Sequence, residues 1–242
     1  MKNLVLLVLF VFVFVACQQP TSNPEVTYLI HTVTKYQVDN DGKIVRKVFY
    51  KELDRDQNLI LEVSFLPDGK KIELQANNSN SNVKTEVIKF YNAQNILDSQ
   101  NVKISYLNSN GKILQTIFID SKGDTAKIIH FAYDSSGNLI MQKELSTRQK
   151  IEIRTDFIYE FNPNGNIAKI TLSNNLNPEK RIVEQFEYLN ETQTIRKIVI
   201  DESKKTKEVI NFKYNYLGLI IEEEHITPEE GTIKFIYKYT FY

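Results

Sequence analysis

Tyr133-Asp134-Ser135-Ser136-Gly137-Asn138-Leu139 is the stretch whose reading decides the fold. An aromatic residue stands four places before a glycine, and an apolar residue stands two places after it. The polar residues between them mark a hairpin turn. Glycine supplies the positive φ that such a turn needs, without a Cβ clash. All eight glycines of the chain fall at polar turn signals of this kind.

The frame recurs outward from that copy. Phe161 leads Gly165-Asn166-Ile167, Tyr214 leads Gly218-Leu219-Ile220, and Val38 and Leu107 lead Gly42 and Gly111. Phe65 leads Gly69, with Ile72 one place late, while Tyr91 and Tyr188 lead copies whose glycine position holds Asn95 and Thr192. The leads stand at 38, 65, 91, 107, 133, 161, 188 and 214, so the steps are 27, 26, 16, 26, 28, 27 and 26. A period near 27 is settled before any other fold argument. Further polar breaks lie midway, at 54–58, 77–82, 120–124, 146–150, 174–180, 201–205 and 227–231, so each unit is two strands and two turns. The short step, around 97–101, reads as a stunted hairpin or a seam between two halves.

Between turns the residues alternate. Ile151, Ile153, Phe157, Tyr159 and Phe161 share one face, against Glu152, Arg154, Asp156 and Glu160. Ile233, Phe235, Tyr237, Tyr239 and Phe241 repeat this against Lys234, Lys238 and Thr240. Period two means strands with one buried and one wet face. The expectation is an all-β, antiparallel up-and-down meander of about 16 strands. Side by side at about 4.8 Å these span roughly 75 Å. An open sheet that wide coils under its accumulated twist. A long, strongly curved sheet with its aromatics on the concave side is therefore expected. A membrane barrel is set aside, because the outward residues include many Lys and Glu.

The frame Tyr-Asp-x-x-Gly-Asn-Leu resembles the YD (Rhs-type) repeat and looks like the hairpins of MORN-variant repeats. The likeness extends over about residues 36–225. It implies a ribbon of antiparallel strands that curls into a wall or shell, and it implies no catalysis.

The N-terminus carries an address. Lys2 precedes an unbroken apolar run at 4–15, then Ala16-Cys17 and a polar stretch. This is the pattern of a secretory signal, too short for an ordinary membrane helix. Phe14-Val15-Ala16-Cys17 resembles the lipobox of a bacterial lipoprotein. The resemblance implies a signal peptide at 1–16, lipid attachment at Cys17, a tether at 17–25 and a β domain at 26–242. Cys17 is the sole cysteine of the chain.

Composition bounds the rest. Thirty Lys and Arg balance thirty Asp and Glu. No basic patch stands out, so nucleic acid is not an expected partner. The chain has 13 Tyr, 14 Phe and no Trp. His31, His130 and His225 lie far apart, and no HxH or HxxxH spacing suggests a metal site. Neither a nucleophile elbow nor a phosphate-binding loop is present. Glu222-Glu223-Glu224-His225 and Pro228-Glu229-Glu230 read as a solvated acidic hairpin end, and Lys204-Lys205-Thr206-Lys207 as its basic counterpart. No catalytic residue, cofactor or metal is expected. The functional expectation is a non-enzymatic envelope lipoprotein, held to a membrane by its N-terminal lipid, in the outer membrane. Its β surface would bind a protein or glycan partner. The alternative is a periplasmic carrier that shelters a lipid or other apolar ligand.

Overall fold

A computed structural model describes residues 28–79, 82–190 and 193–242. The signal peptide, Cys17 and the tether fall outside these residues. Sixteen strands follow one another: β1 Ile30–Val38, β2 Ile44–Leu53, β3 Leu59–Phe65, β4 Lys71–Ser79, β5 Val83–Tyr91, β6 Leu97–Leu107, β7 Ile113–Ile119, β8 Thr125–Tyr133, β9 Leu139–Ser146, β10 Ile151–Phe161, β11 Ile167–Asn174, β12 Ile182–Tyr188, β13 Thr194–Asp201, β14 Thr206–Tyr214, β15 Ile220–Thr227 and β16 Gly231–Phe241. Each runs antiparallel to its neighbours in sequence.

The sheet closes. β1 pairs with β16 from Ile30↔Phe241 to Val38↔Lys234, which makes one up-and-down barrel. The strand number and direction agree with the sequence. The open curved sheet, and with it the curling ribbon of YD-type shells, is corrected. An open sheet would leave a row of unpaired backbone groups on β1 and another on β16. Pairing them satisfies both rows at once.

The turns explain the recurrent frame. In the copy at Asp134, its N–H donates to the Asn138 carbonyl (2.9 Å) and its carbonyl accepts from Gly137 N–H (3.0 Å). Its carboxylate accepts from Asn138 N–H and from the Asn138 side-chain amide, both at 2.8 Å. Gly137 has φ 86°. The same hydrogen-bond pattern recurs at Asp39, Asp120, Asn162 and Asn215. At two further turns, Gln57 and Asn95 take the glycine place, both with φ 62°. The copy without glycine at Tyr91 is thus the same turn.

Turns after odd-numbered strands lie at one mouth of the barrel, and those after even-numbered strands at the other. The leads at 38, 65 and 91 precede first-mouth turns. Those from 107 onward precede second-mouth turns. The step of 16 residues is therefore one strand plus one turn. The residues at 97–101 sit within β6, paired with β5 along its length.

Second-mouth tyrosines add a repeated lock. Tyr133, Tyr159, Tyr188, Tyr214 and Tyr239 lie at or near the ends of β8, β10, β12, β14 and β16. Their hydroxyls donate to the carbonyls of Ile113, Leu139, Ile167, Thr194 and Ile220, at 2.9, 2.9, 2.9, 2.7 and 2.7 Å. Each acceptor is the first residue of the preceding strand. From β6–β7 onward a bulge beside each second-mouth turn shifts the ladder there, as between Tyr106 and Leu107, and the tyrosine bonds at that site. Tyr242 Oη likewise donates to the Leu53 carbonyl at 2.6 Å, reaching from the end of the chain over β1 to β2. Tyr214→Phe keeps the ring and removes one lock. Urea unfolding should show a loss of about 1 kcal/mol. An unchanged stability would mean that water replaces the hydroxyl at no cost.

Candidate functional site: the barrel lumen

Ladder register divides the wall into two faces. On β10, Arg154, Ile158 and Glu160 are exposed, with Ile158 at 60%. Gln185 and Glu187 on β12, Lys213 on β14, and Lys238 and Thr240 on β16 are exposed on that same face. It is the outside. The other face carries Phe157, Tyr159, Glu184, Phe186, Glu208, Ile210, Phe212, Glu223, Tyr237 and Tyr239, none of them exposed. It lines the lumen. The sequence assigned the aromatics to a sheltered face: Phe157, Tyr159, Phe235, Tyr237 and Tyr239 lie there, whereas Phe161 and Phe241, at strand ends, are exposed.

The lumen is wide. Sixteen strands give a circular barrel roughly 30 Å across between backbones, the size class that leaves an aqueous channel. Among the described residues, only ladder neighbours bring their backbones within 8 Å. Among the described residues just seven apolar side chains are buried: Val38, Leu53, Val63, Ile129, Leu139, Val183 and Ile210. The described residues form no solid core.

Toward the first mouth the lumen is lined by ion pairs. Lys127 stands 3.4 Å from Glu144, and Lys197 2.7 Å from Glu184. On β5 and β6, nearer the second mouth, Glu86, only 1% exposed, lies between Lys84 (3.0 Å) and Lys103 (2.7 Å). Burial alone would raise the Glu86 pKa. The two lysines outweigh it and hold the carboxyl below its usual range. Nearby Glu62 is raised by burial, against the opposing charge of Lys51. A buried ion needs such partners, since removing one leaves an uncompensated charge.

The densest cluster joins β1, β14, β15 and β16. Glu223 accepts from Lys35 Nζ at 2.5 Å and from Tyr237 Oη. His225 places Nε2 at 3.0 Å from Glu223 and Nδ1 at 2.6 Å from Glu208. Lys35 also lies 4.3 Å from the Phe235 ring centre. Burial works to raise Glu223, but the hydrogen bond from His225 and the charge of Lys35 bring it down to about 2. Burial works to lower His225, yet its bonds to Glu208 and Glu223 raise it. Tyr237 is pushed up, mainly by burial and then by the Glu223 charge.

The acidic stretch at 222–225 is thus not a hairpin end. It runs along β15, with Glu223 and His225 inward and Glu222 and Glu224 outward. The signal that could have found it is the period of two, since Glu223 and His225 share parity with Phe235 and Tyr237 across the ladder. The sequence could not supply Lys35, which is nearly two hundred residues away. Of the other histidines, His130 is exposed on the outer face, and His31 stands 3.7 Å from Glu52.

Toward the second mouth the lumen turns aromatic. Every even-numbered strand from β8 onward bears a pair two residues apart: Phe131 and Tyr133, Phe157 and Tyr159, Phe186 and Tyr188, Phe212 and Tyr214, Tyr237 and Tyr239. The tyrosines are those of the locks. The Tyr239 hydroxyl is pushed up to about 12, chiefly by burial. Over β8–β16 the lumen is therefore charged toward the first mouth and aromatic toward the second.

No family model and no curated protein matches the chain. Among solved structures, a porin-like protein from Bacteroides uniformis superposes with a TM-score of 0.59 at 10% identity, covering 87% of this chain and 96% of that one. The chain is similar in fold to a porin-like barrel. The resemblance to a bacterial lipoprotein of YD or MORN-variant type is corrected accordingly: the shared fold is a closed barrel. The Tc holotoxin pore of Photorhabdus luminescens also matches, over 88% of this chain and 13% of that chain, at 12% identity and a TM-score of 0.30.

The outer face is charged along its strands, with Lys143, Arg154, Asp156 and Glu224 near strand middles. Lys143 pairs with Glu152 at 2.9 Å and Arg154 with Asp156 at 2.8 Å. Lys169 pairs with Glu160 at 2.7 Å, Lys213 with Glu222 at 2.6 Å, and Lys234 with Glu224 at 3.4 Å. The sector over β5–β8 is mainly apolar, with Val87, Val102, Ile104, Ile117 and Ile128, and a smaller apolar patch of Val183, Ile198, Ile200 and Val209 lies over β12–β14.

The cluster at His225 predicts a stability profile. A raised histidine stabilises the fold fully below its unfolded value of 6.5, and that contribution fades as pH rises through the folded value. A depressed carboxylate stabilises it fully above 4.5, and that contribution fades as pH falls toward about 2. Urea midpoints should peak between those bounds, and His225→Gln should flatten the alkaline limb. An alkaline limb identical in the variant would remove His225 as its source.

Proposed function

We propose that the protein is a non-enzymatic, outer-membrane-associated barrel of the bacterial envelope that stands in water and binds a partner through its lumen. The charged mid-strand residues on the outside of β9–β16 carry this reading. A lipid-facing wall would have to bury Lys143, Arg154 and Lys234, and a Lys or Arg near the bilayer midplane costs roughly 2–4 kcal/mol. The apolar sector over β5–β8 covers a quarter of the circumference. That suffices to rest against a membrane or partner, but a spanning barrel needs a complete apolar belt. Closure also removes the free edge strands that could have added a partner strand. The open lumen, with its two unlike ends, is left as the binding surface. A carrier for a lipid or other apolar ligand is the second reading. The aromatic end favours it, and the belt of Lys–Glu pairs does not.

The full chain with Ile158→Cys, in native membranes, should react with a water-soluble maleimide as a free surface thiol does. The unsubstituted protein corrects for Cys17. Purified protein should give no channel current in planar bilayers. A thiol protected until detergent is added, or steady unitary currents, would place the wall in lipid and end this reading.

A further inference from the structure

We propose that the tyrosine arc at the second mouth is a binding track for an oligosaccharide of uncharged pyranose units. This names the partner class of the lumen site and rests on the water-standing reading above.

Geometry comes first. The five locked tyrosines occur on every second strand, from β8 to β16. Two strand spacings set successive rings about 9.6 Å apart around the wall. That is close to the length of two linked pyranose rings. Each phenol bonds to a backbone carbonyl of the neighbouring strand at 2.7–2.9 Å. Backbone carbonyls lie in the sheet, so a ring tied to one leans along the wall. The five tyrosines are half-buried, so part of each stays accessible from the lumen, with Phe161 beside Tyr159 and Tyr237 beside Tyr239. The rings are held before any ligand arrives, which lowers the entropic cost of binding. Their hydroxyls are already engaged, so what they offer a ligand is aromatic ring surface, which suits the C–H faces of sugars.

A second observation lies at the start of the arc. A cavity of about 360 Å³ opens between the turns at 108–112 and 134–138, beside Tyr133. Asn110, Ser135 and Ser136 line it with amide and hydroxyl groups. Lys112 Nζ, also in its lining, donates to the Gly137 carbonyl at 2.5 Å and lies 5.2 Å from the Tyr133 ring centre. The cavity has room for a pyranose unit, and its lining has donors and acceptors for hydroxyl groups.

Charge then selects among stacking ligands. The net charge is +0, and the lumen lysines are paired with glutamates. A single-stranded nucleic acid would need a positive groove along its backbone. An uncharged chain needs none.

The test is titration of the full-length protein with cellohexaose and maltohexaose. Glucose, oligogalacturonate and phosphatidylcholine vesicles serve as the other arms. With no Trp in the chain, the emission comes from its 13 tyrosines, and the tyrosine variants identify the share that belongs to the arc. One neutral hexaose should bind and perturb that emission, while glucose binds more weakly. Tyr159→Ala and Tyr214→Ala should each weaken binding about tenfold, and Tyr159→Phe, which keeps its ring, less than about threefold. Saturation transfer from aromatic protons to the bound sugar gives the same answer without any variant. Absence of binding by both hexaoses, preference for the acidic oligomer or the vesicles, or alanine variants that stay folded and bind unchanged would overturn the proposal. If it fails while Cys at position 158 remains water-reactive, only the glycan is lost. A lipid-protected thiol would remove both.

Discussion

The ladder between β1 and β16 is the constraint on which the rest of the structure depends. It joins residues about two hundred positions apart, with eight register pairs from Ile30↔Phe241 to Val38↔Lys234. Without it the protein is a sheet with two raw edges and no inside. With it, every strand has two neighbours, and the inward and outward sides become different surfaces. The seven buried apolar side chains among the described residues cannot hold such a wall by burial alone. The cohesion is shared among ladder bonds, the turns and side chains half-buried on both faces. Tyr242 reinforces the closing ladder by reaching over β1 to the Leu53 carbonyl.

Closure also explains why polar groups are spent inside. A wide lumen lined only with apolar residues would expose a large hydrophobic surface to water or collapse. Here Glu86 between Lys84 and Lys103, and Glu223 among Lys35, His225 and Tyr237, fasten neighbouring strands across the wall. Such pairs gain little net energy, because desolvation offsets the attraction. Their geometric demand is strict, however, and it fixes which residues face inward. The tyrosine locks do the same at the second mouth with neutral groups. Both devices stiffen the wall without filling its middle.

Local structure was legible in the sequence, and closure was not. The turn at Asp134–Gly137 could be read because positive φ leaves a direct compositional mark. The alternation through Phe157 and Tyr159 could be read because period two is a property of a single strand. The strand number followed from counting turns. Nothing in Val33 or Tyr239 announces that they are partners, since a register across the whole chain has no local signature. The shift of the frame from one mouth to the other, between Tyr91 and Leu107, looked like a defect in a linear sequence. In a ring it is one strand's length. The site was half legible for the same reason: each aromatic pair is local, but the cluster at Glu223 is assembled by closure.

A barrel's surroundings are decided by its outer face, and fold similarity does not reach that far. An aqueous lumen and a lipid-facing wall require opposite polarities on alternate residues. Here the alternation on β10 sets Phe157 and Tyr159 inward and Arg154, Asp156 and Glu160 outward, the reverse of what lipid demands. Moving that strand into a bilayer would bury three charges and leave its aromatics in water. A one-residue register slip would exchange the two faces, but the locks at Tyr159 and Tyr214 and the bulges beside their turns forbid it. The same bonds that hold the rings against the wall therefore hold the charged face outward, and they favour a porin-like fold working in water over one working in lipid.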